Sequence, residues 1–164
     1  MKKSALRVSV GGGKGGVGKS LIALNLATSF ASMGLETVLV DADLGSPNLH
    51  SLLGVTRVGP TLHALLDRRI TRIEEAMIAT AVPRLSLIPG ASGHLGAANP
   101  SHQEKLKLIR QLTSVEADVL VVDVGAGTAY NVLDLYGLGE VRIVVATPEL
   151  TSLQNAYVFL KSSL

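Results

Sequence analysis

Five compact apolar runs, Leu6 to Val10, Thr37 to Val40, Leu85 to Ile88, Val119 to Val122 and Arg142 to Ala146, are each bounded by Gly, Pro or Asp. They predict buried strands. Between them the apolar positions recur at helical spacing: Ser20 to Met33 reads as a helix stopped by Gly34, and Ser101-His102-Gln103-Glu104 is a capping box that opens Lys105 to Leu112. Ile73 to Ala79 and Thr128 to Tyr136 read as shorter helices, and a final one starts near Ser152. Strand and helix alternate with short punctuated loops and no internal repeat, so the pattern predicts an α/β fold with a mostly parallel sheet and helices on both faces. The stretch from Gly90 to Pro100, rich in Gly, Ala and Ser, reads as the mobile loop of the chain.

Composition narrows this picture in three ways. At 164 residues, 47% of them apolar and only 3% aromatic, the chain is read as one domain, residues 1–164, packed from small and aliphatic side chains. There is no cysteine, which removes disulfides and any thiolate-held zinc or iron–sulfur centre contributed by these residues. The net charge of +2 is spread among interspersed Lys and Arg, so nucleic acid is not the expected partner. The longest apolar runs are far too short to span a bilayer, and no signal peptide is recognisable at the N-terminus, so the expected location is the cytoplasm.

The chemistry begins where the first strand meets the first helix. Counted from Gly13, the run Gly13-Lys14-Gly15-Gly16-Val17-Gly18-Lys19-Ser20 fits G-x-x-x-x-G-K-[ST], the phosphate-binding P-loop, in the strand-to-helix context that this motif requires. Its glycines let successive backbone N–H groups point into one anion-sized hollow at a helix N-terminus. Lys19 is placed to reach the β- and γ-phosphates of a nucleoside triphosphate, and Ser20 to ligate Mg²⁺. Lys14 lies outside the general pattern, and a second cation close to Lys19 is costly without an anion. Asp41 and Asp43 close the second strand on one side of an extended chain, where two carboxylates need a cation or a water to organise them. Asp123 ends an apolar strand in the manner of a Walker B acid. A turn or helix cap is the competing reading for each acid.

Lys14 to Ser20 resembles the deviant Walker A motif of the MinD/ParA superfamily of P-loop ATPases. Asp41-Ala42-Asp43-Leu44-Gly45, with Asn48-Leu49 and Leu52-Leu53-Gly54, is similar to the switch I region of that family, and Asp123-Val124-Gly125-Ala126-Gly127 to its switch II. The Gly-Ala-Gly form, together with Thr147-Pro148-Glu149, leans towards the flagellar-number regulator (FlhG) branch rather than towards MinD. The resemblance implies a three-layer P-loop fold and ATP hydrolysis with Mg²⁺. It implies that Lys14 reaches the ATP of a second copy in a homodimer, Asp43 orients the attacking water, Asp41 and Asp123 hold the metal shell, and Gly125 and Gly127 let switch II respond to the γ-phosphate. It also implies a regulatory protein partner. Alternatives are division-site placement of the MinD type, DNA partitioning of the ParA type, and a scaffold that binds nucleotide but hydrolyses it poorly.

Members of the family continue well past the helix that here ends at Leu164, with further strands, adenine contacts and often a membrane-binding helix. The expectation is therefore of a partial domain whose last strand forms an open sheet edge, with any reversible membrane association residing in a segment outside these residues. His50, His63, His94 and His102 are scattered, without i,i+4 pairing or nearby acids, and predict no metal site.

Overall fold

The computed structural model describes residues 5–90 and 100–164. In chain order these form β1 (Leu6–Gly12), α1 (Lys19–Ser32), β2 (Thr37–Ala42), α2 (Leu49–Leu52), α3 (Leu62–Leu66), a 3₁₀ turn (Ile73–Ala76), β3 (Ile78–Ala79), β4 (Leu85–Ile88), α4 (His102–Thr113), β5 (Val119–Ala126), α5 (Tyr130–Tyr136), β6 (Val141–Val144) and α6 (Leu150–Ser162). The six strands make one sheet in the order β3-β4-β2-β5-β1-β6. Every described pairing is parallel except that of β3 with β4. Among the described residues β6 pairs with β1 alone and is the sheet edge that the sequence anticipates.

Alternation along the strands divides the core between the two faces of the sheet. Val38, Val40, Leu120, Val122 and Val124 point to one face and pack with Leu62 and Leu65 of α3, Leu108 and Leu112 of α4, Leu135 and Tyr136 of α5, and Phe159 of α6. Leu39, Val119 and Val121 point to the other, against Ala23, Ala27 and Ala31 of α1. That alanine stripe, spaced by four, lets α1 lie close over the central strands and carry its N-terminus to their C-terminal ends. The capping box of α4 forms as expected: the Ser101 hydroxyl accepts from Glu104 N, and a Glu104 carboxylate oxygen accepts from Ser101 N at 2.7 Å.

Two expectations are corrected here, and two short helices are added. The segment Ile73 to Ala79 is not one helix: Glu75 folds back to accept from Thr71 N and Arg72 N, closing a single 3₁₀ turn, and Ile78 and Ala79 then pair with Leu87 and Ser86. Helices α2 and α3, of four and five residues, carry too few turns to leave a helical period in the sequence. His63 has an acid close by at i,i+4, its Nε2 lying 3.2 Å from Asp67 Oδ2. The loop expected from Gly90 to Pro100 lies, except for its end residues, outside the described residues, as does His94.

Candidate phosphate-binding site

The loop from Gly13 to Gly18 turns out of β1 with Gly16 and Gly18 at φ of 74° and 96°, left-handed values that glycine adopts without strain. Gly18 is the N-cap of α1 and makes no side-chain cap, so the first N–H groups of that helix lack a side-chain acceptor. Gly13 meets a different constraint. A Cβ at this position would lie 2.2 Å from the Asn155 carbonyl oxygen, so the loop can rest on α6 only with glycine here.

A cavity of about 490 Å³ opens over this helix end, lined by Gly15, Gly16, Gly18, Lys19 and Ser20 from the loop and helix, and by Asp43, Ser46, Asn48 and Ala126 from the β2 and β5 ends. Lys19 is buried and its Nζ donates to Lys14 O at 3.2 Å, folding the ammonium back over the loop. A second cavity of about 200 Å³, walled by Leu44, Val132 and Leu135, shares Asp43 and Ala126 with the first. Asp43 is thus a partition between the two. Val17 is half-buried beside the helix start, and Gly125 packs on Asp43, 3.3 Å separating a Cβ built there from Asp43 Oδ1.

Two of the acids at the strand ends, Asp41 and Asp43, accept hydrogen bonds from backbone N–H groups. Asp41 Oδ2 accepts from Asn48 N and Leu49 N, both at 2.9 Å, and so caps α2. Asp43 Oδ1 accepts from Gly45 N at 3.1 Å and Ser46 N at 2.9 Å. The local turn thus supplies donors to one oxygen of each carboxylate. What remains unmatched is Asp41 Oδ1 and both oxygens of Asp123, buried without a hydrogen-bond partner. Burial raises Asp41 to about 6, the two backbone bonds offsetting part of the rise. Burial likewise raises Asp123 to about 7; the Ser20 hydroxyl approaches and offsets a part without closing an ordinary hydrogen bond.

Such a donor set fits Mg²⁺. This ion usually takes one or two carboxylates and completes its shell with water and phosphate oxygens. Among the described residues no group of three or more His, Asp or Glu is gathered as a metal cage. Ser20, Asp41 and Asp123 are the residues here that could hold it.

The buried acids also set a pH dependence. Both carboxyl groups bind protons more tightly folded than unfolded, so burial costs stability above the folded pKa and is relieved as pH falls through it. The exposed acids Glu75, Glu104 and Glu149 are lowered below 4.5 and act in the opposite sense only below that pH. Between about pH 8 and about pH 5 the nucleotide-free chain should therefore gain a few kcal/mol. Urea unfolding across that range checks this, and Asp123→Asn should remove most of the slope; a midpoint that falls on acidification would contradict it.

The family model described as "ParA: NUBPL iron-transfer P-loop NTPase" matches residues 4–160. The chain belongs to the ParA/MinD family of P-loop NTPases. It is 33% identical over 156 residues to the antiactivator FleN of Pseudomonas aeruginosa, covering 94% of this chain and 55% of FleN. It is 34% identical to the flagellum site-determining protein YlxH of Helicobacter pylori, covering 94% of this chain and 52% of that protein. The ParA/MinD chain thus spans about half the length of these curated relatives. The septum site-determining protein MinD of Pyrococcus horikoshii, solved with Mg-ADP, superposes with a TM-score of 0.84 at 29% identity, covering 98% of this chain and 67% of that one. These 164 residues include no cysteine, so none of them offers a thiolate to a metal cluster.

One partner of the loop was not legible in the sequence. Lys14 is absent from the lining of the phosphate cavity and points the other way, its Nζ 2.7 Å from Glu149 Oε2 and 3.5 Å from Thr151 Oγ1. Lys14 thus has an anion within its own chain. A lysine unpaired by its neighbours in sequence was the available signal, but the pairing acid lies 135 positions away.

Proposed function

We propose that this chain is the phosphate-binding part of a Mg²⁺-dependent ATPase that alternates between a monomer and an ATP-bound homodimer to position a cellular structure. The observation that carries the reading is the cavity over the open N-terminus of α1, lined by Lys19, Ser20 and Asp43, with buried Asp123, whose two oxygens have no hydrogen-bond partner, beside Ser20 and Lys19. The N–H groups from Gly13 to Ser20 and the Lys19 ammonium would bind the β- and γ-phosphates. Ser20, Asp41 and Asp123 would hold Mg²⁺, which when bound neutralises charge on the phosphate oxygens. Asp43, at the cavity wall, would orient the attacking water, and Gly125 and Gly127 would let the end of β5 follow the γ-phosphate. Phosphoryl transfer needs positioning and charge stabilisation more than a covalent nucleophile, and these groups supply both.

Lys14 faces out of its own cavity, which supports its use by a second copy. YlxH supports the flagellum as the structure positioned, and the Gly125-Ala126-Gly127 form supports the same branch; MinD-type septum placement is the second reading, favoured by the superposition. Among the described residues no helix is long and apolar enough to cross a membrane. The reading places the protein in the cytoplasm, with reversible association to the inner membrane face through a segment outside these residues and with a regulatory protein as partner. Light scattering tests the switch: a non-hydrolysable ATP analogue with Mg²⁺ should double the mass where ADP does not, and Lys14→Ala should lose the response. A wild-type mass that stays monomeric with bound analogue would overturn it.

A further inference from the structure

Lys14 rests in a place that its surroundings alone would not favour. Glu149 is the N-cap of α6, so the Lys14 ammonium sits at the positive end of that 13-residue helix. On its other side its own carbonyl accepts from the Lys19 ammonium, which brings a second cation to the same loop. Coulomb repulsion from both directions opposes this position. The charge that offsets it is Glu149, and the Glu149 side chain makes no capping bond to its own helix; it turns to Lys14 instead. Helix α6 is fixed against the loop by an independent contact, the close approach of Gly13 to the Asn155 backbone, so the acid is carried on a rigid support.

Resting on the reading that Lys14 serves a second copy, we propose that Glu149 is an internal counter-anion that holds Lys14 away from its own phosphate cavity, and that nucleotide-driven self-association proceeds by exchanging this ion pair for a partner's phosphates. The pair is half exposed, with side-chain accessibilities of 37% and 62%, and is therefore weak enough to be exchanged. It also lowers the net positive charge that the free monomer presents to other anions. Lys14 is charged in both states; what changes is the anion it meets. Glu149 acts through Lys14 and is a positioning residue.

The test uses Glu149→Gln, which keeps the shape and removes the charge. In the nucleotide-free protein, acetic anhydride labelling followed by mass spectrometry should modify Lys14 faster in the variant, with exposed Lys161 as internal reference. With a non-hydrolysable ATP analogue and Mg²⁺, the variant should dimerise at roughly two- to five-fold lower protein concentration, the scale of an exposed ion pair, and the difference should shrink at high salt. In a Lys14→Ala background the same substitution should change nothing, since its effect passes through Lys14. Unchanged labelling, a dimer midpoint that is equal or higher, or an equal shift in the Lys14→Ala background would each overturn the proposal. If wild type binds the analogue without dimerising, or Lys14→Ala dimerises as well as wild type, the reading of Lys14 falls and the exchange falls with it. If Lys14→Ala is monomeric while Glu149→Gln matches wild type, only the counter-anion is wrong.

Discussion

Replacing Asp43 with alanine should lower ATP turnover by roughly 10²-fold or more while leaving ATP bound, the scale for loss of a group that positions the reacting water. Asp43 stands between the two cavities at the end of β2, and its Oδ1 is already committed to Gly45 N and Ser46 N. Alanine removes both the carboxylate and the turn. Asp43→Asn separates them, because an amide oxygen can still accept from the two N–H groups while the negative charge is lost. Turnover that falls in both variants assigns the effect to the charge; turnover that falls only in the alanine variant assigns it to the loop. Unchanged turnover in both would move the water-orienting role to another residue.

Gly13→Ala should unfold the protein at a lower temperature by about 5–10 °C, the consequence of about 2–3 kcal/mol of overpacking in a domain of this size. The added Cβ would sit 2.2 Å from the Asn155 carbonyl oxygen, and since that atom is backbone, either the loop or α6 must move. Gly15→Ala is the control: nothing lies within 4 Å of a Cβ built there, so its melting temperature should match wild type. Differential scanning calorimetry on the two variants decides the matter. Equal melting temperatures would mean that α6 does not press on the loop in solution.

The legible part of this fold is the part written in periodicity. Strands β2, β4 and β5, and β1 from Val8 onward, are largely buried on both faces, and their apolar runs stand out because nearly every position is apolar or small. Their true ends run further than the apolar residues do. Strand β2 extends through Asp41 and β5 through Gly125, since Asp41 and Asp123 remain paired in register although their side chains are polar. Polar residues that continue a strand are where ligand chemistry is placed, and they blur the boundary for that reason.

The site was legible wherever one local segment carries the requirement. Gly16, Gly18, Lys19 and Ser20 lie within five positions because one turn must present N–H groups, a cation and a hydroxyl to a single anion. The backbone capping of Asp41 was not, because it depends on α2, a helix of one turn. Nor was the Lys14–Glu149 pair, which arises only when β6 folds in beside β1 and delivers the start of α6 to the loop. Contacts of that kind are set by topology and leave no mark in either segment.

Calorimetric titration of Mg-ATP into the wild-type chain and into Lys19→Ala, each with and without Mg²⁺, tests the central claim most directly. Wild type should bind one nucleotide per chain, more weakly when Mg²⁺ is removed, and Lys19→Ala should retain its fold but show no binding. Binding that is indifferent to both Mg²⁺ and Lys19, or none at all by folded wild-type protein, would contradict the assignment of this cavity to a nucleoside triphosphate.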